Sequence, residues 1–392
     1  MTRSPRLPVV AAALLVVAAI ALPAAGAAAN PQAATALLVL DGQTTSGFAE
    51  SSMDVSTALT VGHEQGAVTI DRYAFDERFA ATESDDARRD LLFQATTQFN
   101  RRSMTIRDEA QALRTSYRNG TIETDTFVRE LLLIGAESAE LRSNLDRLDA
   151  LADQVPGLSY QGRIGRLDAS LIGRNGPVRE RALSSVRGTT DPTRVYVSAS
   201  TQGEVLSMLE DGRYVREAYR EDMHPPDGAD GIDLDQAASR IARLYPEAYN
   251  SSIQRGINGL GGGVYRITIT LQQGTLTAFL DGSTESVFFE VQEQGLATLP
   301  ATERVIRMDN GTRLQIDRAV RGGPLRIETL DNETGTPVPA TVVLDDHQLQ
   351  TGEDGVLWTI MPPTERLTIT AIRPDGNVTV TVRPLPPQPV NQ

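Results

Sequence analysis

The chain has 392 residues and a formal charge of −14: 51 acidic residues stand against 37 basic ones, every one of them arginine, since no lysine occurs. It has no cysteine, three histidines and one tryptophan. That excludes disulfides, thiolate nucleophiles, zinc–cysteine sites, iron–sulfur clusters, Schiff-base lysines and P-loop lysines. The charge opposes binding to nucleic acid, and no cofactor-binding motif is present, so no cofactor is expected.

Acid excess with arginine in place of every lysine fits a chain that folds in concentrated salt, where self-repulsion is screened. In this the composition resembles that of haloarchaeal proteins. Length suggests two or three domains. The fold class read from the pattern is multidomain α+β: a long antiparallel helical hairpin, α+β helix–hairpin units in a tandem repeat, and a C-terminal β-sandwich.

Residues 1–29 read as a secretory signal peptide. Arg3 and Arg6 precede an uncharged run over 9–22, then Pro23 and an Ala-x-Ala site, so cleavage falls near Ala29. The run is short for a membrane span. Left uncleaved, it would be an anchor, and the membrane is a partner only in that case. Cleavage leaves 35 basic against 51 acidic residues, a charge of −16. Five Asn-x-Ser/Thr sequons, at Asn119, Asn250, Asn310, Asn332 and Asn377, sit in turn-like surroundings and are candidate N-glycosylation sites. The expected location is extracellular or cell-surface.

Residues 30–82 are expected to be an extended lead-in. Residues 83–156 carry the strongest periodicity. Phe127, Leu131, Ile134, Ser138, Leu141, Leu145, Leu148 and Ala152 alternate spacings of 4 and 3, a heptad seam. Leu92, Ala95, Phe99, Arg102, Ile106, Glu109, Leu113 and Tyr117 follow it less purely, and the turn at 118–121 makes the two helices antiparallel. Residues 157–226 form a first α+β unit and 227–299 a second. In each, a helix candidate precedes β-branched alternation around a Gly turn, which suggests duplication. Residues 300–323 read as a connecting hairpin, 324–383 as a β-sandwich with turns every eight to twelve residues, and 384–392 as a proline-rich tail.

Three resemblances follow from particular residues. Leu234–Ala238, Val264–Ile267 and the stretch from Phe279 to Glu285 resemble the PepSY-type module of secreted proteins, although Ser283-Thr284-Glu285 replaces the usual Thr-Gly-Glu. The resemblance implies a non-catalytic interaction or peptidase-regulating unit. Residues 332–340 with 351–355 resemble the carboxypeptidase-regulatory-like, transthyretin-like β-sandwich, which implies an accessory module. The order of leader, helical hairpin, Gly-Pro-Val-Arg-Glu-Arg at 176–181, Gly-Arg-Tyr-Val-Arg-Glu-Ala-Tyr at 212–219 and the motif at 245–252 resembles a group of secreted haloarchaeal proteins of unknown function.

Candidate chemistry is sparse. Asp227, Asp230, Asp233 and Asp235 do not fit calcium-loop spacing, because Gly228 and Pro226 occupy positions 3 and 1; a solvated linker that caps the next helix fits better. Asp345, Asp346 and His347 are adjacent strand residues that face opposite ways. His63-Glu64 lacks the second histidine of a zincin helix. The glycine-rich run 256–263 precedes a strand, so it is a loop feature and not a phosphate cradle. No catalytic, cofactor or metal residue is assigned. The expected function is a non-enzymatic secreted or cell-surface protein that acts through protein or peptide contacts and regulates a partner in the envelope, since lysine, cysteine and histidine motifs are missing. The alternatives are a secreted hydrolase using unrecognised carboxylates and a purely structural envelope glycoprotein.

Overall fold

The computed structural model describes residues 36–225, 231–301, 303–345, 347–390 and 392. The signal peptide with its cleavage position at Ala29, together with Asp227, Asp230 and Asp346, lies outside the described residues.

The protein is α+β, with helices packed on antiparallel sheets and a β-sandwich at its C-terminal end. The helical half opens with β1 (Thr45–Ser51), then α1 (Val55–Ala81), α2 (Asp85–Arg118), α3 (Thr124–Ala152), α4 (Gln161–Leu171) and α5 (Pro177–Val186). Within the expected extended lead-in at 30–82, residues 55–81 are therefore helix instead. Asp54 caps α1, its carboxylate accepting from the Ser56 and Thr57 amides. The helix hides its period because its apolar residues lie on two faces: Val61 and Phe79 are buried while Leu59 and Ile70 are exposed. The α3 pattern also differs from a single seam. Phe127, Leu131, Leu145 and Leu148 are buried as expected, but so are Val128, Leu132, Ala136 and Leu151. The helix is covered on two sides, by α2 and α1 on one and by α5 and β1 on the other.

Next come β2 (Thr193–Ala199), β3 (Gly203–Glu210), β4 (Arg213–Arg220), α6 (Leu234–Leu244), α7 (Pro246–Asn250), β5 (Gln254–Gly261), β6 (Val264–Leu271), β7 (Gly274–Asp281) and β8 (Ser286–Gly295). With β1 they form one eight-stranded antiparallel sheet in the order β1-β2-β3-β4-β8-β7-β6-β5. Strand alternation sends neighbours to opposite faces. Leu206 joins the core under α3 and α5, and Val205 joins the core under α6 and α7. The strand order is symmetric about the β4–β8 seam. A two-fold relating those antiparallel strands would leave both helices on one face, yet α5 and α6 lie on opposite faces.

The last strands are β9 (Arg304–Asp309), β10 (Thr312–Asp317), β11 (Pro324–Asp331), β12 (Thr341–Leu344), β13 (His347–Gln350), β14 (Val356–Ile360), β15 (Leu367–Arg373) and β16 (Gly376–Val382). Sheets β14-β11-β10-β9 and β13-β12-β15-β16 enclose a common core of Leu314, Ile316, Ile327, Val342, Ile369 and Val378, among others. The hairpin at 300–323 is thus part of the sandwich rather than a connector, because β10 pairs with β11 along its whole length. The sandwich docks on the large sheet through one carbonyl: Ser207 Oγ and Tyr214 OH donate to Gly322 O at 2.7 and 2.8 Å. Nor is 384–392 a free tail. The Leu385 amide donates to Ala319 O, the Leu37 amide to Gln388 O and the Val390 amide to Leu37 O. Leu38 and Val390 enter the core beneath α6.

Candidate functional site

Helices α2 and α5, the loop between α4 and α5, strands β3 and β4 and the turn after β4 bring together an ionic chain that, apart from Arg107, is closed off from solvent. Arg114 is fully buried and Glu204 is 1% exposed. Arg114 Nη1 donates to Glu204 Oε2 at 3.0 Å, and its Nη2 donates to Glu221. Arg179 Nη2 donates to the other Glu204 oxygen at 2.7 Å, and its Nη1 lies 2.8 Å from Glu217 Oε1. The Val178 amide holds the second Glu217 oxygen at 3.0 Å, one of the donors left open at the start of α5. Arg107 pairs with Glu221 at 2.5 Å, and Arg174 approaches it at 3.4 Å. Four guanidiniums therefore share three carboxylates. Burial alone would raise the Glu221 carboxyl, but Arg174, Arg114 and Arg107 together bring it below the ordinary range. Burial wins at Glu217 and pushes it up against the pull of Arg179.

Beside this chain lies a cavity of about 490 Å³ between α2, α4 and the β7–β8 turn. His224 and Asp281 form its floor. His224 Nδ1 is 2.5 Å from Asp281 Oδ2, and Nε2 is 3.2 Å from Ala169 O. Both ring nitrogens face acceptors, so neither is open to a nucleophile. Ser283 Oγ donates to Asp281 rather than to the imidazole, which is not the relay of a serine hydrolase. The Asp281 carboxyl sits below its ordinary value: burial opposes this, but the bonds from His224, Ser283 and the Thr284 amide outweigh it. A bulge in β8 explains the position of the imidazole. The register shifts opposite Phe279 and Leu280, leaving Phe288 as the extra residue. Its ring stacks on His224 with centroids 4.2 Å apart.

The cavity wall carries Arg163, Arg166 and Arg174. Arg174 is 3% exposed, with its guanidinium 4.6 Å from the Tyr219 ring centroid. Its Nη1 is buried and has no hydrogen-bond partner among the described residues. Arg163 stacks on Phe93 and makes one long contact to Thr97. Neither Arg163 nor Arg166 has a carboxylate partner among the described residues. The glycine turn of β5–β6 closes the rim. At Gly262, with φ +58°, a Cβ would come 2.8 Å from the Arg166 Cα, so only glycine lets the turn lie against α4. Most of the run 256–263 is therefore strand β5 and not a loop, and only its end, at Gly262 and Gly263, is the turn that packs on α4.

A separate feature runs along α1. Val55, Leu59, Ile70 and Tyr73 are all exposed, with Leu59 at 68% and Ile70 at 69%. At 100° per residue they fall within one narrow stripe, together with Gly62 and Gly66. A Cβ at either glycine would meet open space.

The sequence-predicted residues are scattered. Asn119 ends α2, Asn250 ends α7, and both are exposed. Asn310, Asn332 and Asn377 share one end of the sandwich: Asn310 Nδ2 donates to Asn377 O, and the Asn332 amide donates to Gly311 O. Asp233 caps α6 in a reciprocal pair with Gln236. Asp345 occupies a turn with φ +49°. His63 is exposed on α1. Among the described residues, no group of three or more His, Asp or Glu side chains could hold a metal ion. Sequence reasoning missed the cavity. Its residues are spread from Asn100 to Ser283; the motif at 212–219 supplies Tyr219 to its wall, and the two motifs at 176–181 and 212–219 supply Arg179 and Glu217 to the ionic chain beside it, so the signal was present without its meaning.

Three family models match the chain. Residues 1–191 match a domain of unknown function (DUF7096), and residues 195–300 match a family of unknown function (DUF7094). Residues 303–380 match the archaeal fibronectin-III type-like domain. The last match supports an archaeal source and agrees with the observed sandwich, including β9 and β10. It names a different β-sandwich family from the carboxypeptidase-regulatory-like one that the turn motifs resemble. No curated protein matches the chain.

Proposed function

We propose that this is a non-enzymatic protein of the cell exterior that acts through contacts with a protein partner in the envelope. The observation that carries this reading is the α1 stripe. Large apolar side chains on one exposed helix face, with glycines between them, suit a partner element that packs closely. On this reading α2 and α3 form the antiparallel helical hairpin that supports α1, and Arg102 paired with Glu137 across them fits that role. The second half of the large sheet would be the PepSY-like unit. A duplication is favoured by its strand order and opposed by the placement of α5 and α6.

The leader places the chain outside the cell in this reading, cleaved near Ala29 or kept as an anchor. The three sequons at one end of the sandwich favour the second reading, a structural envelope glycoprotein, and mass spectrometry of the purified protein would give their occupancy. The decisive experiment puts a photo-crosslinking residue at Leu59 or Ile70 in the native host, with exposed Asp235 as control. One heterologous protein adduct at the α1 positions and none at the control is expected. An adduct of twice the chain mass, or no adduct from an abundant chain, overturns the partner reading.

A further inference from the structure

We propose that the cavity between α2, α4 and the β7–β8 turn binds an oxyanion of more than one negative charge, a phosphate or polycarboxylate group borne by a small ligand. The inference is independent of what docks on α1. It begins with Arg174. A guanidinium N–H removed from water and left without an acceptor is costly, and native structures rarely leave one so. Arg174 Nη1 is in that state and lines the cavity.

The charge count points the same way. Among the described residues, the carboxylates paired with Arg107, Arg114, Arg174 and Arg179 are Glu204, Glu217 and Glu221. That is a surplus of one positive charge, and Arg163 and Arg166 raise it to three. Asp281 on the cavity floor lowers that surplus to two, and its oxygens are already taken up by His224, Ser283 and two backbone amides. Such a concentration of unmatched positive charge sits in a chain whose formal charge is −14. Without a bound anion, it is unfavourable for the arginines to be gathered here.

Guanidinium chemistry narrows the class of ligand. A planar fork matches a pair of oxygens and bonds both. A halide cannot satisfy that geometry. In concentrated salt, simple charge attraction is screened, so a ligand must be held by directed, partly buried hydrogen bonds. The cavity volume of about 490 Å³ exceeds that of a bare phosphate and lies within the range of small-molecule sites.

The test uses the full chain in concentrated sodium chloride at constant ionic strength, titrated calorimetrically with inorganic phosphate and with citrate. Saturable one-to-one binding of at least one probe is expected. Phosphate alone assigns a phosphoryl-bearing ligand, and citrate alone assigns a polycarboxylate. Arg166→Gln lies on an exposed position of α4 and should leave the unfolding midpoint unchanged while weakening binding about tenfold, the loss expected for one charge-assisted bidentate contact. Arg174→Gln should abolish binding; should that variant fail to fold, Arg163→Gln supplies the second measurement, with a loss like that of Arg166→Gln. No saturable binding of either probe, or binding that Arg166→Gln and Arg163→Gln leave unchanged, overturns the proposal.

Discussion

Arg114 occupies a core position of α2, in line with Leu92, Thr96, Ser103, Ile106, Ala110 and Tyr117. Truncating one partner of a buried ion pair leaves the other charged and unsolvated. Glu204→Gln should therefore cost about 3–5 kcal/mol, read as a lower denaturant midpoint with an unchanged slope. Because the pair is buried, added salt should not restore the loss. The acid response has a definite sign. Glu221 is held below its ordinary value of 4.5, so it stabilises the fold above that pH and withdraws support as pH falls through its lower folded value. Glu217 and Glu290 are raised, mainly by burial. They favour the fold below 4.5, and that contribution is lost as pH rises through their folded values. Glu221→Gln should accordingly flatten the decline in unfolding free energy below about pH 4.5. These side chains were not legible as a group. With every basic residue an arginine, a buried arginine looks like a surface one until the helix face it occupies is known.

Elements were legible in proportion to how one-sided they are. The hydrophobic spacing in α2 and α3 placed both helices, and turn spacing placed most sandwich strands. Helix α1 escaped because its buried and exposed apolar residues smear the period, and because Gly62, Gly66 and β-branched residues lower its propensity. Gly66→Ala tests its helicity directly. The new methyl meets open space, so the variant should gain about 0.5–1 kcal/mol of stability, seen as a raised thermal midpoint. If a partner packs closely on the stripe, the same methyl should weaken crosslinking at Leu59. The bulge at Phe288 was equally hidden. Nothing in Val287-Phe288-Phe289 marks which ring is the extra one, yet that choice sets where His224 sits.

At the scale of the whole molecule, the strongest sequence signal was charge. A chain at −14 repels itself, and the repulsion weakens as the Debye length falls from about 10 Å at 0.1 M salt to about 3 Å at 1 M. The thermal midpoint should rise across that interval in sodium chloride; a flat series would count against salt adaptation. The domain borders were less legible. The sandwich begins before the position its turn motifs suggested, because the β9–β10 hairpin continues the sheet of β11 and β14, and the final segment is bound by backbone contacts that composition does not reveal.

That final segment has a mechanical meaning. The chain enters the sandwich at β9 and comes back along Ala319 and Leu37, while Ser207 and Tyr214 grip Gly322 between the two crossings. A domain joined by a single linker can swing; one fastened on both sides of its seat can only shear or lift as a block. The sandwich is therefore a fixed extension of the large sheet, and a tug on it is transmitted to Leu38 and the core beneath α6 instead of being absorbed by a joint.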